Sequence, residues 1–340
     1  MKAVVFHQHG GAENLKYEDV QEPKLLANDV LVKVKACAMN HLDIWVREGL
    51  RPVSLPHILG SDISGVVEAV GSDIKDVKTG GSVLVSPGLS CGTCEKCLSG
   101  QDNLCPRYTI IGKGIWGGYA QYVKVPRQNL LPFPRKLSFE EAASMPLTFL
   151  TAWQMLVVKA KVKPGDWVLV LAAGSGIGVA SIQIAKLFGA IVIATASHDS
   201  KLKKAQDLGA DFTINYTEKD FFEEVKKITH DRGVDIVVEH TGAETWEKSV
   251  RSAKWGGTIV TCGATSGNEG KTDLAHVYFR QLQILGSTMG TKGSLFEIIR
   301  FIEQGKLKPV IDEVIPLKDA CKGHEKMSSR SQFGKIVLVP

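Results

Sequence analysis

The sequence predicts an α/β protein: a β-rich unit over residues 1–149 and 291–340, and a doubly wound parallel sheet over 150–290. Three observations predict it. Residues 150–290 alternate β-branched runs with amphipathic ones: DWVLVLAA, VASIQIAKLFGA, IVIATAS, SKLKKAQDLGA, FTINY, FFEEVKKIT, DIVVEHT, GTIVTCGA and QILGST. Such alternation is what right-handed strand–helix–strand crossovers require. The first 149 residues instead carry strand-like runs (KAVVF, DVLVKVKA, ISGVVEAVG, GSVLVS) punctuated by GG, PG and GLSCG, which predicts β structure with irregular loops. The tail holds one helix, in LFEIIRFIEQG, and a terminal strand, KIVLV. It has no nucleotide motif of its own, so its expected place is back in the first unit.

With 44% hydrophobic and 23% charged residues, the chain is neither disordered nor fibrous. The net charge of +5 comes from scattered basic residues, densest at 201–204, so a solvated surface is expected and a nucleic-acid partner is not. The N-terminus MKAVVFHQHGG lacks a signal-peptide hydrophobic region. Residues 168–185 are uncharged over about the length of a membrane span, but Gly174, Gly176 and Gly178 divide them into strand, turn and helix, and no membrane association is expected. Four of the seven cysteines fall within 91–105, while Cys37, Cys262 and Cys321 are dispersed. That odd count fits a reducing, cytoplasmic setting better than a disulfide framework.

A glycine cluster between a strand and a helix lets the backbone approach a pyrophosphate and points helix N-terminal N–H groups at it. AAGSGIG has that context, making Ala173, Gly174, Ser175, Gly176, Ile177 and Gly178 the dinucleotide-binding candidates. The spacing is not GxGxxG, so the assignment leans on the surrounding βαβ pattern. The next strand ends in Ala196, Ser197 and His198, with no carboxylate to hold a ribose 2′-hydroxyl. Ser197 and Lys201 can donate to a 2′-phosphate, which makes NADPH the expected cofactor. Asp199 leaves NAD(H) open if the strand runs further. Lys201 taken alone reads equally well as a solvated lysine.

CGTCEKCLSGQDNLC places Cys91, Cys94, Cys97 and Cys105 on one loop. Four thiolates with no open position make a closed tetrahedral zinc site that holds a loop together and does no chemistry. An iron–sulfur cluster is the rival, but a ferredoxin run brings its last cysteine after three residues rather than seven.

These pieces, with LVKVKACAMNHLDIWVREG at 31–49, LGSDISGVVEAVG at 59–71, GGYAQYVKVP at 117–126 and LTFLTAWQML at 147–156, resemble the medium-chain dehydrogenase/reductase superfamily over essentially the whole chain. That superfamily holds the zinc alcohol dehydrogenases and their quinone oxidoreductase and enoyl reductase relatives. The resemblance implies a GroES-like β-rich catalytic domain, a Rossmann dinucleotide-binding domain and an active-site cleft between them. It also implies that the three catalytic-zinc positions fall on Asn40, on Ser61 of a Ser61–Asp62 pair standing for His–Glu, and on Leu147. None of these is a good zinc ligand, so no catalytic zinc is expected, while the structural lobe is kept.

By the same carry-over, Asn40 is the expected donor to a substrate carbonyl oxygen. His41 contacts the pyrophosphate or relays a proton, and Thr151 orients the nicotinamide. Asp43 and Asp62 organise the loop, Asp62 at the edge of the substrate pocket. Trp45 suits a flat apolar ligand, and Arg51 either meets an anionic group or is merely solvated. The expected reaction is NADPH-dependent hydride transfer to a quinone or α,β-unsaturated carbonyl. The alternatives are an enoyl-CoA or acryloyl-CoA reductase, a zinc-containing alcohol dehydrogenase with an unrecognised metal site and, remotely, a non-catalytic NADPH-binding protein. A homodimer or homotetramer acting on a small molecule is the implied assembly.

Overall fold

The computed structural model describes residues Met1–Pro340. The chain divides into two compact units, Met1–Leu147 with Thr291–Pro340, and Thr148–Gly290.

The first unit is built on a seven-stranded sheet. Its order is Leu130–Pro132, Ser82–Val85, Asp62–Val70, Asp29–Ala38, Lys335–Val339 and Ile311–Pro316, with Tyr122–Pro126 also pairing with Asp29–Ala38. A three-stranded sheet of Lys16–Asp19, Lys2–Phe6 and His57–Ile58 packs its apolar face into the same core. The strand Asp29–Ala38 forms because Val30, Val32 and Val34 point one way into that core, and Cys37 joins them after the bulge between Val34 and Ala36. Each fully buried Val or Ile contributes about 1.5–3 kcal/mol relative to exposure.

Register sets the geometry used below. Ala38 pairs with Asp62 on one side and with Val337 of the tail strand on the other. The latter pairing is antiparallel, and Met39 N–H continues it to Ile336 O at 2.9 Å. Lys335 therefore falls opposite Asn40. The tail helix Lys292–Glu303 is capped by the Thr291 hydroxyl and buries Leu295, Ile298, Ile299 and Ile302, an i, i+3, i+4, i+7 face.

The second unit is a six-stranded all-parallel sheet: β1 (Trp167–Val170), β2 (Ile191–Ala196), β3 (Phe212–Asn215), β4 (Val234–Glu239), β5 (Ala253–Thr261) and β6 (Gln283–Gly286), in spatial order 3-2-1-4-5-6. Val168, Leu169, Val170, Val192, Ile193 and Ala194 are all fully buried. Unbroken apolar runs of this kind belong to strands covered on both faces. The run at 168–185 is resolved into β1, a turn and the helix Gly176–Leu187, and no helix of the chain is long and apolar enough to cross a membrane. That helix starts where the Ser175 hydroxyl accepts a bond from Gly178 N–H at 2.9 Å. Gly178 must lack a side chain, because a Cβ there would lie 2.4 Å from Ala172 O.

Candidate functional site

In the first unit Asn40, 5% exposed, stands just before the helix His41–Arg47. Its backbone N–H donates to Asp43 Oδ2 at 2.8 Å, which closes the first turn and fixes the residue. The Lys335 ammonium donates to Asn40 Oδ1 at 2.6 Å and to Asp62 Oδ2 at 3.0 Å, and Asn40 Nδ2 donates to the same Asp62 oxygen at 2.9 Å. Leu147 N–H donates to Asp62 Oδ1 at 2.8 Å. Asp62 is fully buried and Lys335 is 5% exposed, so the pair is a desolvated one in which each charge has several partners. With Oδ1 held by a cation, the amide orientation is determined, and Nδ2 keeps a second hydrogen beyond the one given to Asp62.

Behind this triad runs a buried chain of bonds. Asp43 also accepts from Gly60 N–H at 3.1 Å and from the Tyr119 hydroxyl at 3.2 Å. Tyr119 Oη lies 3.3 Å from His324 Nε2, and Arg47 Nη1 lies 3.2 Å from His324 Nδ1. Because Arg47 can only donate, His324 Nδ1 accepts, Nε2 carries the proton to Tyr119, and Tyr119 donates to Asp43. Burial pushes the Asp43 carboxyl up to about 6, against the opposing Asn40 and Gly60 bonds and the Lys335 charge. Burial and then the Arg47 charge push His324 down to about 3.

The three positions that the resemblance assigns to a catalytic zinc offer an amide, a hydroxyl and an aliphatic side chain. Ser61 Oγ is buried without a hydrogen-bond partner. An ammonium already contacts both the amide oxygen and the neighbouring carboxylate. Zinc takes thiolate, imidazole or carboxylate, and a second cation beside Lys335 would be repelled, so these residues do not fit the metal.

The cysteine loop does fit one. The sulfurs of Cys91, Cys94, Cys97 and Cys105 all lie within 4.8 Å of one another, with Cys91–Cys97 at 3.8 Å and Cys94–Cys97 at 3.5 Å. Zn–S bonds of about 2.3 Å separate tetrahedral sulfurs by about 3.8 Å. Backbone N–H groups of Cys94 and Arg107 point at Cys91 and Cys105 sulfurs, at 3.3 and 3.4 Å, and favour thiolates. Cys91 is accordingly pushed down to about 5 by the Thr93 and Cys94 backbone.

In the second unit the loop after β1 carries Ala173 to Gly178 and leads into the N-terminus of the helix Gly176–Leu187. β2 ends at Ala196; Ser197 O accepts from Thr217 Oγ1 at 3.2 Å. Asp199 belongs to the following helix, and its carboxylate accepts from Asn215 Nδ2 at 3.1 Å. Thr151 is buried with its hydroxyl 4.0 Å from the Met289 sulfur.

Of the remaining candidates, His41 stacks edge-on with Trp45, their centroids 5.1 Å apart, and burial lowers its pKa. Arg51 is exposed and reaches only its neighbour Leu50 O, at 3.4 Å. A separate concavity of about 650 Å³ is lined by Pro52, Val53, His57, Lys113, Ile115 and Trp116 among others, and includes none of Asn40, Trp45 or Arg51.

Two residues escaped the sequence reading. Lys335 is one, and a lysine opening an otherwise apolar strand was its only signal. His240 is the other, seated after β4 with Nε2 2.9 Å from Ser175 Oγ.

Comparison with known proteins places these sites in context. Residues 26–135 match the alcohol dehydrogenase GroES-like domain and residues 176–304 the zinc-binding dehydrogenase domain. A solved structure described as an NAD-dependent alcohol dehydrogenase is 54% identical, with full coverage of both chains and a TM-score of 0.97. An alcohol dehydrogenase of Geobacillus stearothermophilus is 34% identical over 99% of each chain. An acryloyl-coenzyme A reductase of Sulfurisphaera tokodaii is 29% identical over the full length of both. The chain belongs to the zinc-type medium-chain dehydrogenase/reductase superfamily, as an oxidoreductase with a GroES-like domain, a Rossmann-like parallel sheet and a four-cysteine zinc lobe.

Proposed function

We propose that the protein reduces an activated carbon–carbon double bond, conjugated to a ketone or thioester carbonyl, with NAD(P)H and without a catalytic metal. The observation that carries this is Asn40, the residue at one of the positions the resemblance assigns to a catalytic-zinc ligand, held by the Lys335 ammonium and the Asp62 carboxylate. Bound NAD(P)H supplies the hydride. The second Nδ2 hydrogen of Asn40 donates to the carbonyl oxygen as negative charge gathers there, and Lys335 keeps the amide from turning its oxygen toward that charge. His41, half-buried and with its pKa lowered by burial, is neutral at pH 7 and able to pass a proton. The full-length similarity to an acryloyl-coenzyme A reductase supports a thioester over the quinone of the first expectation.

A second reading, alcohol or aldehyde oxidoreduction, is supported by the 54% and 34% identical relatives, both described as alcohol dehydrogenases. Ser197 just past β2, and the engagement of Asp199 by Asn215, support NADPH; the 54% identical relative, described as NAD-dependent, supports NADH.

The deciding experiment is a panel of enones, enoyl-CoA esters, quinones and aldehydes with NADPH or NADH, run beside alcohol oxidation with NADP+ or NAD+ and with zinc analysis. Reduction of enone or enoyl-CoA at one zinc per chain, unaffected by brief chelation, is expected. Alcohol oxidation as the dominant activity, dependent on a second zinc, refutes the proposal.

A further inference from the structure

The order 3-2-1-4 places β1 and β4 side by side although the chain leaves β1 toward β2, and β4 arrives only later on the other flank. The loops after β1 and β4 thus part company at a topological switch point, the crevice in which open α/β sheets bind their ligand. Ser175 lies in the first of these loops and His240 in the second, and the Ser175 Oγ–His240 Nε2 contact of 2.9 Å ties them together. The hydroxyl simultaneously accepts from Gly178 N–H, so it is held from both sides.

His240 is held firmly in place. The Glu239 carboxylate beside it, fully buried, accepts from Thr241 N–H at 2.6 Å, Gly242 N–H at 3.0 Å, Thr245 Oγ1 at 2.9 Å and Ser249 Oγ at 2.5 Å. That web fixes the turn. Burial, opposed by the Glu239 charge, lowers the His240 pKa, so the ring is neutral and one nitrogen donates while the other accepts. Yet the other ring nitrogen, Nδ1, is buried without a partner in a residue 8% exposed. This nitrogen, unpaired in an otherwise saturated turn at the switch point, is open to bond a ligand.

We propose that His240 Nδ1 hydrogen-bonds a ribose hydroxyl in the non-adenine half of the bound dinucleotide. The adenine half lies toward β2, so the β4 side of the crevice receives the other mononucleotide. Through Ser175, His240 is anchored to the helix start that faces the pyrophosphate, and the next group along the ligand is the sugar. A neutral imidazole nitrogen and a hydroxyl match as donor and acceptor in either tautomer. The proposal needs only NAD(P) binding and is independent of the substrate reading.

The test uses binding rather than turnover. Asn places a polar atom near the Nδ1 position and Gln one near Nε2. His240→Gln therefore keeps the reach to Ser175 and loses the proposed bond, while His240→Asn does the reverse. Dissociation constants of NADH and NADPH, of ADP-ribose, which keeps the second sugar, and of ADP, which lacks it, are measured by calorimetry on the full chain. The 2′-phosphorylated forms of the last two are added if NADPH binds better. His240→Gln is expected to weaken the dinucleotide and ADP-ribose about tenfold and leave ADP within about twofold; His240→Asn is expected to stay near the parent. Unchanged ADP binding also reports an intact second unit. Equal weakening of ADP and ADP-ribose, no weakening of either, or a greater loss in His240→Asn overturns the proposal.

Discussion

At Asn40 the amide has been given one orientation by charge. Its oxygen faces the Lys335 ammonium at 2.6 Å, and turning it would set an NH2 against a cation and an oxygen against the Asp62 carboxylate. Under the proposed reaction Asn40→Ala is expected to lower kcat about 10²–10³-fold, as removal of an oxyanion donor does, with the dinucleotide dissociation constant unchanged; an unaltered kcat would remove Asn40 from the mechanism. Lys335→Met leaves a fully buried Asp62 carboxylate without its counter-charge, a change expected to cost roughly 3–5 kcal/mol in urea unfolding. Lys335→Arg, which keeps the charge, is expected to lose much less, and equal losses would show that packing rather than the ion pair matters.

Asn40, Asp62 and the four cysteines were legible because each sits in a contiguous motif. Lys335 was not, since 295 residues separate it from Asn40 and only the antiparallel register of the tail strand unites them. The same holds for His240, 65 residues from its partner Ser175.

Among the elements, the helix His41–Arg47 and the helix Ala320–Ser328 are joined through Arg47, His324, Tyr119 and Asp43. Two groups of opposite sense therefore titrate in one network. Asp43 is raised to about 6, so between about pH 4 and 6 the folded state holds a proton that the unfolded state has released, and stability falls as pH rises. His324 is depressed to about 3, so between about pH 3 and 6.5 the unfolded state holds the extra proton, and stability rises with pH. From pH 4 to 6 the two slopes nearly cancel. Relative to the parent, His324→Gln is expected to lose stability across that interval by about 1.4 kcal/mol per pH unit, and Asp43→Asn to gain at a similar rate. Urea unfolding at half-unit steps measures both, and parallel curves for all three proteins would dismiss the opposition.

The cysteine loop makes a separable claim, because its sulfurs lie near the spacing of a bound zinc. Cys105→Ser is expected to abolish the tightly held zinc and expose residues 88–110 to proteolysis, while dinucleotide binding by the second unit persists. Retained zinc, or loss of dinucleotide binding, would contradict that separation. The βαβ alternation of this second unit was readable from residue types alone, since strands covered on both faces must be continuously apolar. The sheet order of the first unit was not, because its pairings join runs far apart in sequence.

At the scale of the whole molecule, β6 is an exposed sheet edge. It ends the parallel sheet, pairing with β5 on one side only, so its other edge presents unpaired N–H and C=O groups. Around it lie exposed apolar side chains: Trp255 at 63%, Leu274 at 73%, Tyr278 at 63% and Phe279 at 64%, with Ile284 on the strand itself. An edge that is both unpaired and flanked by aromatic surface is one that a monomer would keep charged or capped. A second copy meeting it about a two-fold axis presents the same edge and the same aromatics, so strand pairing and apolar burial are satisfied together. Sedimentation equilibrium at micromolar concentration is expected to show a dimer or a multiple of it. Trp255→Glu combined with Phe279→Glu, both solvent-facing in the monomer, is expected to yield a folded monomer with unchanged circular dichroism. A monomeric parent protein, or a dimer indifferent to both substitutions, would place the interface elsewhere.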